Sequence, residues 1–292
     1  MKRTKVDPAL LTNPDKVLFP HAHITKKDLG DYYAMIAPLM LPHLKNRLLS
    51  MQRFPDGINK EGFFQKNISP HFPEWVDRYS LTNKDGSTTT YAIVQNQATL
   101  IYLSYQAVIT FHTWLSRVDK LDYPDKMIFD LDPGKKITFP QIKQYALKLK
   151  DFLESYGFTS FAMTTGSRGI HIVCPLRRSY TFETVRAYSQ QLAIEFAQSA
   201  PDELTVEIRK DKRKGRLFID YIRNTYAHTA VAPYSVRPLP NAPIATPVTW
   251  KEVATKKLEA QTYTIANIAK RIQKVGNVWE KYNTVKNTLK KR

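Results

Sequence analysis

The chain has 292 residues, and because 42% of them are hydrophobic it is long and apolar enough to bury a substantial core. Its formal net charge of +18 favours a polyanionic partner, either nucleic acid or an anionic membrane surface. The single cysteine, Cys174, excludes a disulfide framework and a cysteine-rich zinc site. Because no segment has the apolar pattern of a signal peptide or a membrane span, we expect a soluble, cytoplasmic protein with no membrane partner.

Apolar residues at helical spacing predict four helices. The first begins at a capping box, residues 25–28, and continues through Leu39. The others are expected at about 140–156, 181–199 and 264–285.

Runs rich in β-branched and aromatic residues predict strands in the rest of the chain. They are expected at 91–94, 127–132, 160–164, 169–174, 204–209 and 216–222. The loops that follow residues 164 and 209 are too short for a parallel crossover, so each is expected to join an antiparallel pair, which argues against a Rossmann sheet. The predicted fold class is therefore α/β in the α+β sense, with mixed, largely antiparallel sheets flanked by helices.

A proline-rich stretch follows the last predicted strand. Prolines recur through residues 233–248 and exclude a regular element there. We expect this stretch to be an extended segment lying over the surface, or a linker.

Two aspartates close the strand predicted at 127–132. Strand alternation places Asp130 and Asp132 on one face with Ile128, and the turn at Pro133 leaves Asp132 at an open edge of the sheet. Like charges separated by roughly 6–7 Å along a strand destabilise a fold unless a cation lies between them, and a divalent metal is the usual solution. Alternatively, one of the two carboxylates simply caps a turn.

Asp220 adds a third carboxylate within the apolar strand at 216–222. It shares a face with Phe218 and Ile222, so it needs a polar or cationic partner. Three aspartates on hydrophobic strands of a strongly basic protein suit a two-metal phosphoryl-transfer centre. In such a centre two ions about 3.5–4 Å apart align the attacking and leaving oxygens.

A glycine-rich turn at 164–171 separates two of the predicted strands. The side chains of Thr165, Ser167 and Arg168, with converging backbone amides, are suited to cradle a triphosphate, although ordinary hairpins share this pattern. His171 alternates with two isoleucines, so it leaves the opposite side of its strand. There it serves either a polar site or a structural hydrogen bond.

Two surfaces are candidates for DNA contact. Six of the eight residues at 209–216 are basic, and this loop suits a phosphate backbone, although most such charge runs are merely solvated. Phe63 and Phe64 lie amid basic residues and are suited to stack on the bases of an open nucleic-acid end. Burial remains the default for phenylalanine.

The same motifs occur together in one known family. The sequence strongly resembles the polymerase domain of bacterial DNA ligase D and its stand-alone prokaryotic relatives, which belong to the archaeo-eukaryotic primase superfamily. The segments that carry the resemblance are 11–20, 53–57, 63–66, 111–114, 124–125, 129–134, 166–171, 214–224, 235–237 and 242–247. They follow the family's order through nearly the whole chain, which makes the match specific and implies an archaeo-eukaryotic primase-like core.

The resemblance implies a metal-dependent primase-polymerase, a nucleotidyltransferase of non-homologous end joining that fills or extends broken DNA ends. In the family pattern Asp130, Asp132 and Asp220 match the metal-binding catalytic triad, which holds two divalent ions, Mn²⁺ or Mg²⁺. The implied substrates are ribonucleoside or deoxyribonucleoside triphosphates, with ribonucleotides and often manganese preferred.

The resemblance also implies the residues that bind nucleotide and DNA. The incoming nucleotide is assigned to Arg53, His112, Thr165, Ser167, Arg168, His171 and Arg237. DNA contact is assigned to Lys16 and Lys26 (a 5′-phosphate pocket), Phe63 and Phe64 (template stacking), Lys66, and Lys210, Arg213 and Arg216 (a second DNA end). The family more usually carries Ser at position 165 and Lys at position 168, so hydroxyl and charge are kept while the geometry differs.

Two other functions compete with this interpretation. A two-metal nuclease needs similar carboxylates but has no use for a triphosphate cradle. A non-catalytic DNA-end-binding module would keep the basic and aromatic surfaces, but all three aspartate positions are filled, which counts against it.

The expected organisation is a single primase-polymerase domain. Its parts would be an N-terminal DNA-end-binding part at about 1–110, a catalytic core at about 111–248 and a C-terminal helical segment at about 249–292. No ligase or nuclease module fits in 292 residues. The resemblance therefore implies a separate ligase, nuclease and Ku-like protein as partners. They would act with this chain at the nucleoid on double-stranded DNA ends that carry a gap or overhang and a 5′-phosphate.

Overall fold

Helices and strands alternate along the computed structural model, which describes residues 10–83 and 85–290. The helices are α1 (Lys26–Leu44), α2 (Gln97–Tyr105), α3 (Phe139–Ser155), α4 (Phe182–Gln198), α5 (Trp250–Val253) and α6 (Ile268–Val275). The first strands are β1 (Val17–Phe19), β2 (Ile24–Thr25), β3 (Leu49–Arg53), β4 (Phe63–Gln65), β5 (Arg78–Thr82), β6 (Thr88–Ala92) and β7 (Val108–Trp114). They are followed by β8 (Lys126–Asp132), β9 (Phe161–Thr164), β10 (Ile170–Pro175), β11 (Leu204–Thr205), β12 (Leu217–Asp220), β13 (Thr229–Val231) and β14 (Thr246–Val248).

Three of the four predicted helices are confirmed as α1, α3 and α4. The capping box at the start of α1 is present, with the Thr25 hydroxyl and the Asp28 carboxylate satisfying each other's backbone N–H groups. The fourth prediction, 264–285, is too long. Helix α6 ends at Gly276, whose positive φ of 65° terminates the helix, and a short 3₁₀ turn follows at Glu280–Asn283.

The strands form two main sheets that are largely antiparallel, which confirms the predicted fold class. A six-stranded sheet has the order β11-β12-β8-β10-β9-β14, and a four-stranded sheet has the order β13-β7-β3-β4. Two smaller hairpins, β1-β2 and β5-β6, stand apart from these sheets. Because β7 pairs with β3 on one side and with β13 on the other, segments far apart in the chain meet in the four-stranded sheet.

One predicted strand pairing is wrong. The hairpin of β9 and β10 is antiparallel as expected, but β11 and β12 are parallel. Strand β11 stops after Thr205, so the chain between the two strands, residues 206–216, is longer than the sequence pattern indicated. A connection of about a dozen residues is just long enough for a parallel crossover.

The proline-rich stretch at 233–248 is buried, and the expectation of a surface segment or linker is wrong. Tyr234, Val236 and Ile244 are fully buried in the core around α1 and the four-stranded sheet. The stretch ends in β14, the edge strand of the six-stranded sheet. Proline has no backbone N–H to donate. An edge strand tolerates Pro247 because no neighbouring strand on its outer side needs that donor.

Separate apolar clusters pack the two sheets. Helices α3 and α4 cover one face of the six-stranded sheet, where Phe129 and Leu131 of β8 are fully buried. Helices α1 and α2 cover the four-stranded sheet. A third cluster joins Ile128, on the other face of β8, to Val231 of β13, so the polar face of β8 is turned toward the four-stranded sheet.

The loop before β8 contains a buried ionic cluster. The Asp125 carboxylate accepts hydrogen bonds from Arg47 at 2.6 Å and from Arg117 at 2.9 Å. Burial disfavours its ionised form, but the surrounding cations outweigh burial and hold the pKa of Asp125 well below its ordinary value. This carboxylate joins the segment between α1 and β3, which carries Arg47, to the loop that leads into β8.

Within residues 10–83 and 85–290, no helix is both long enough and apolar enough to cross a membrane.

The ionic cluster leads to a stability prediction. Asp125→Ala should lower the free energy of unfolding by about 3–5 kcal/mol, because it strands buried arginines without a counter-charge. Asp119→Ala in the same loop is the matched control, since Asp119 also binds an arginine, Arg178, but its side chain is 61% exposed. The control should lose about 1 kcal/mol or less. Equal losses in urea unfolding would contradict a structural role for the buried cluster.

Candidate active site

A cavity of about 260 Å³ opens between the two main sheets. It brings together most residues predicted to hold a nucleotide, namely His112, Thr165, Ser167, Arg168, His171 and Arg237, with Asp130 and Asp132. Arg223 and residues 229–231 of β13, which the sequence analysis did not single out, complete its wall.

The three aspartates lie on two neighbouring strands, and His171 lies beside them on a third. Asp130 on β8 is directly opposite Asp220 on β12 and opposite His171 on β10. Asp130 and Asp220 are buried, whereas the Asp132 side chain is 30% exposed. Strand alternation on β8 is confirmed, but Asp132 ends an interior strand and does not lie at an open edge of the sheet. Directly opposed side chains have Cβ atoms about 4.5–5.5 Å apart, so two like charges are forced together.

Because they lie so close together, the two buried carboxylates have different pKa values. Burial, together with the charge of Asp130, raises the pKa of Asp220 to about 6. Burial also opposes ionisation of Asp130, but His171 outweighs it with help from Arg223 and Arg237, so the pKa of Asp130 lies below its ordinary value. The Nε2 atom of His171 is 3.4 Å from Asp130 Oδ2.

Arginines contact all three carboxylates. The Nε atom of Arg223 is 3.3 Å from Asp220 Oδ2 and 3.6 Å from Asp130 Oδ2. Arg168 and Arg213 each bind one oxygen of Asp132 at 3.1 Å. Arg223 was missed by the sequence analysis, although it lies three residues after Asp220, within the motif that carries the resemblance.

The donor set fits a divalent metal in its chemistry. Carboxylate oxygens are the ligands that Mg²⁺ and Mn²⁺ prefer, and Asp130 and Asp220 face each other with excess negative charge. As the side chains stand, no three His, Cys, Asp or Glu groups in the described part of the chain are arranged to hold a metal ion. Arg223 provides the positive charge between the paired carboxylates. We infer that a metal held by Asp130 and Asp220 would displace the Arg223 guanidinium.

Asn224 joins the strands that carry these carboxylates. The backbone N–H of Ile128 donates to Asn224 Oδ1, and Asn224 Nδ2 donates to the carbonyl of Ile128, each at 2.8 Å. The same amide nitrogen donates to the carbonyl of Tyr221 at 2.9 Å. Asn224 thus continues the β8–β12 pairing beyond the end of β12. It fixes the turn after Asp220 relative to Asp130.

The glycine-rich turn is held by its own threonine. The Thr165 hydroxyl accepts the backbone N–H groups of Ser167 at 3.3 Å and Gly169 at 3.1 Å. A Cβ atom at Gly169 would lie 2.3 Å from the carbonyl oxygen of Leu131, so only glycine fits this close approach. The amides therefore converge on Thr165, while Arg168, with a 66% exposed side chain, extends from the turn.

Several polar atoms around the cavity lack a hydrogen-bond partner within the described chain. They are His112 Nε2, His171 Nδ1 and Arg237 Nε, all buried. Burial, then the charge of Arg237, lowers the pKa of His112 to about 3, so this imidazole is neutral near pH 7. Unpaired buried polar atoms are costly. Their convergence on one cavity fits a polar ligand.

Arg53 lies apart from the other predicted nucleotide residues. Its guanidinium donates to the carbonyl of Gln106 at 2.8 Å and lies 5.5 Å from the ring centre of Phe63. Phe63 and Phe64 are 46% and 60% exposed, so these two rings are not buried in the core. The Phe64 ring also contacts His112 edge to face, so this aromatic pair borders the cavity.

Lys16 and Lys26 lie close together near the start of α1. The backbone N–H of Lys26 donates to the carbonyl of Lys16 at 2.9 Å. Burial, then the charges of Lys16 and Arg53, lowers the pKa of Lys26. Lys16 is 2.7 Å from Asp56, an exposed carboxylate that a 5′-phosphate would have to displace.

Some basic side chains of the loop at 209–216 are already hydrogen-bonded within the protein. Arg213 turns inward and donates to the carbonyls of Glu207 and Ile208, and Arg216 binds the carbonyls of Arg213 and Pro201. The side chain of Lys210 is exposed, as is that of Lys66 beside the aromatic pair.

Comparisons with known proteins agree on one family. Residues 25–279 match the model of the LigD primase-polymerase domain. The chain is 34% identical over 250 residues to the multifunctional non-homologous end joining protein LigD of Mycolicibacterium smegmatis, covering 85% of this chain and 33% of that protein. It is 32% identical over 266 residues to the bifunctional non-homologous end joining protein LigD of Bacillus subtilis, covering 91% of this chain and 42% of that protein.

A solved structure is also similar. The polymerase domain of Mycobacterium tuberculosis ligase D in complex with DNA superposes with a TM-score of 0.88 and 28% sequence identity. The match covers 97% of this chain and 99% of that domain. The chain spans roughly a third to two fifths of the length of the full-length relatives it matches.

The opposed carboxylates lead to a prediction about pH and metal. Because its pKa is raised, Asp220 destabilises the fold once it ionises, a penalty absent below about pH 4 and complete above pH 6. Asp220→Asn should therefore raise the free energy of unfolding at pH 7.5 by about 1–3 kcal/mol. Added Mn²⁺ should raise the melting temperature of the wild type but not of this variant.

Asp132→Asn is the control, since it removes a carboxylate already bound by two arginines and should not stabilise the protein. A destabilised Asp220→Asn variant that still responds to Mn²⁺ would contradict the metal assignment.

Proposed function

Because the chain belongs to the LigD primase-polymerase domain family, a family of nucleotidyltransferases, we propose that it adds nucleotides to broken DNA ends in non-homologous end joining. The observation that carries this proposal is the cavity. It combines Asp130 and Asp132 of β8 with the glycine-rich turn that carries Arg168 and with His112 and His171, and Asp220 of β12 is the direct cross-strand partner of Asp130. This grouping of carboxylates, arginines and histidines in one cavity supports the proposal.

The proposed reaction is a nucleotidyl transfer. The 3′-hydroxyl oxygen of a primer forms a bond to the α-phosphorus of a nucleoside triphosphate, and the hydroxyl proton passes to solvent. The bond between the α-phosphorus and the bridging oxygen breaks, and pyrophosphate leaves with that electron pair. The products are a primer longer by one nucleotide and pyrophosphate.

Different side chains would serve different parts of this reaction. Asp130 and Asp220 would hold a divalent metal, with Asp132 two residues further along β8. Two such ions, when bound, would neutralise charge on the phosphates and align the attacking and leaving oxygens. Arg168 would bind the terminal phosphates and hold them away from the carboxylates.

The two buried histidines bind the sugar side of the nucleotide in this proposal. His112, which lines the cavity and is neutral near pH 7, has an unpaired Nε2 that would suit a ribose hydroxyl. Such a contact would favour ribonucleotides over deoxyribonucleotides, because losing it would leave His112 unpaired in the cavity. Manganese is the proposed metal of choice, following the family resemblance.

The proposed DNA substrate is a duplex end with a gap or overhang and a 5′-phosphate. Lys16 and Lys26 would bind the 5′-phosphate, Phe63 and Phe64 would stack on template bases, and the loop around Lys210 would reach a second end. The solved relative is a complex with DNA, which supports DNA as a ligand of this chain. A ligase, a nuclease and a Ku-like protein are the proposed partners.

Primer extension on a gapped duplex tests the function. The assay compares ribonucleotides with deoxyribonucleotides and Mn²⁺ with Mg²⁺ on a substrate with a 5′-phosphate. We expect template-dependent addition, greatest with ribonucleotides and Mn²⁺. Absence of addition under all four conditions would refute the proposal. Cleavage of the DNA would instead identify a nuclease.

The carboxylates and the basic surface have separable effects. Asp130→Asn should reduce nucleotide addition by at least a hundredfold while DNA affinity changes little, because the carboxylate serves chemistry and the basic surface serves affinity. Asp151→Asn is a matched control, since Asp151 pairs with Lys150, is exposed on α3 and does not line the cavity. Normal addition by Asp130→Asn would remove Asp130 from the catalytic centre.

The 5′-phosphate pocket has its own test. Removing the 5′-phosphate from a gapped duplex should weaken wild-type binding at one fixed salt concentration, because Lys16 and Lys26 lose their ligand. Lys16→Gln/Lys26→Gln should bind both duplexes with the same, weaker affinity. A phosphate preference that persists in this double variant would place the pocket elsewhere.

A further inference from the structure

A second hollow lies beside the candidate active site. Its volume is about 400 Å³, and it is formed between the turn that follows β8 and the loop at 209–216. We call it the basic hollow, and its cations are Lys135, Lys136, Arg168, Lys210, Arg213 and Lys214. Asp132 and Asp211 also line it, so cations outnumber carboxylates by six to two.

The carboxylates of the basic hollow are already neutralised. Asp132 is bound by Arg168 and Arg213, and Asp211 is 2.9 Å from Arg209. Among the described ion pairs, none involves the four lysines of the hollow. Their ammonium groups are therefore available to an added anion.

The floor of the basic hollow is preformed. The backbone N–H of Gly134 donates to the carbonyl of Arg216 at 3.1 Å. A Cβ atom at Gly134 would lie 2.3 Å from the carbonyl carbon of Gly215, so glycine is required where these two segments meet. The Lys136 side chain packs over Gly215. The lysines are thus carried by two segments that are fixed to each other.

The basic hollow shares a wall with the cavity that contains the carboxylates. Asp132 and Arg168 line both. Arg168 is held by one ion pair, and its side chain is 66% exposed, so it can turn toward either side. An anion bound to Arg168 in the cavity is therefore next to the basic hollow and its lysines.

We propose that the basic hollow binds inorganic pyrophosphate as it leaves the nucleotide site. This inference rests on the proposed function, in which pyrophosphate is released. An in-line displacement places the leaving oxygen opposite the attacking hydroxyl, so pyrophosphate forms at the terminal phosphates, beside Arg168. The adjacent lysines offer a compact, highly charged anion several ammonium groups, which bind phosphate as point charges. Arg168 would transfer the product from the cavity to the hollow.

Direct binding tests this site without the reaction. Pyrophosphate is titrated calorimetrically into the protein at fixed salt, without nucleotide or DNA. Lys136→Gln/Lys214→Gln removes two charges of the hollow while keeping both side-chain stems. Lys270→Gln/Lys274→Gln is the matched control, since both lysines are exposed on α6 and neither belongs to the described ion pairs. We expect about tenfold weaker pyrophosphate binding in the first variant and none of this loss in the control.

Product inhibition provides the second readout. Pyrophosphate should inhibit nucleotide addition by the hollow variant about tenfold less effectively than it inhibits the wild type, while the KM for nucleotide stays the same. Equal pyrophosphate affinity in the hollow and control variants would overturn the proposal. Unchanged pyrophosphate affinity with weaker DNA binding and a flatter salt dependence, by about 0.9 per lost contact, would assign the lysines to a DNA backbone instead.

The two proposals fail in different ways. Wild-type protein that adds no nucleotide but binds pyrophosphate through Lys136 and Lys214 would refute the proposed function and leave an anion site. It would also refute the release role of that site. Normal nucleotide addition with pyrophosphate affinity independent of these lysines would refute the hollow alone.

Discussion

Two buried carboxylates face each other across neighbouring strands, and the surrounding structure compensates for their repulsion. Asp130 and Asp220 are direct cross-strand partners, so neither can move away without breaking the pairing of β8 and β12. Asn224 strengthens that pairing beyond the strand end. The fold therefore concentrates negative charge at one point, and the raised pKa of Asp220 reflects this cost. Any cation placed between the two carboxylates is therefore electrostatically stabilised.

Arginines provide that positive charge in the structure. Arg223 lies between Asp130 and Asp220, while Arg168 and Arg213 bind Asp132. Each of these arginines comes from a different part of the site: the turn after β12, the glycine-rich turn and the basic loop. Binding of metal, nucleotide or DNA would therefore compete for the same ion pairs. This arrangement couples occupancy of the carboxylates to the positions of the three arginines around them.

Local patterns predicted several elements and the β9–β10 hairpin, but not every element or every strand pairing. The capping box at residues 25–28 predicted the start of α1, and alternation along β8 predicted which side chains face the core. The predicted direction of β11 relative to β12 was wrong because it depends on where β11 stops, and that strand ends at Thr205, well before residue 209. The burial of 233–248 was also missed, because a proline-rich composition does not show that other elements will cover it.

For the site, the sequence by itself determined which polar residues are candidates. It identified the three aspartates, the glycine-rich turn and His171, because a carboxylate or imidazole in an apolar strand is unusual wherever the strand lies. Only the tertiary structure decided that Asp130 and Asp220 are direct partners, and that Arg53 lies outside the cavity while Arg223 lies inside it. The physical reason is that cross-strand register and ion pairing depend on distances between segments far apart in the chain. An exposed arginine and a site arginine have the same local sequence signature, so three-dimensional packing alone separates them.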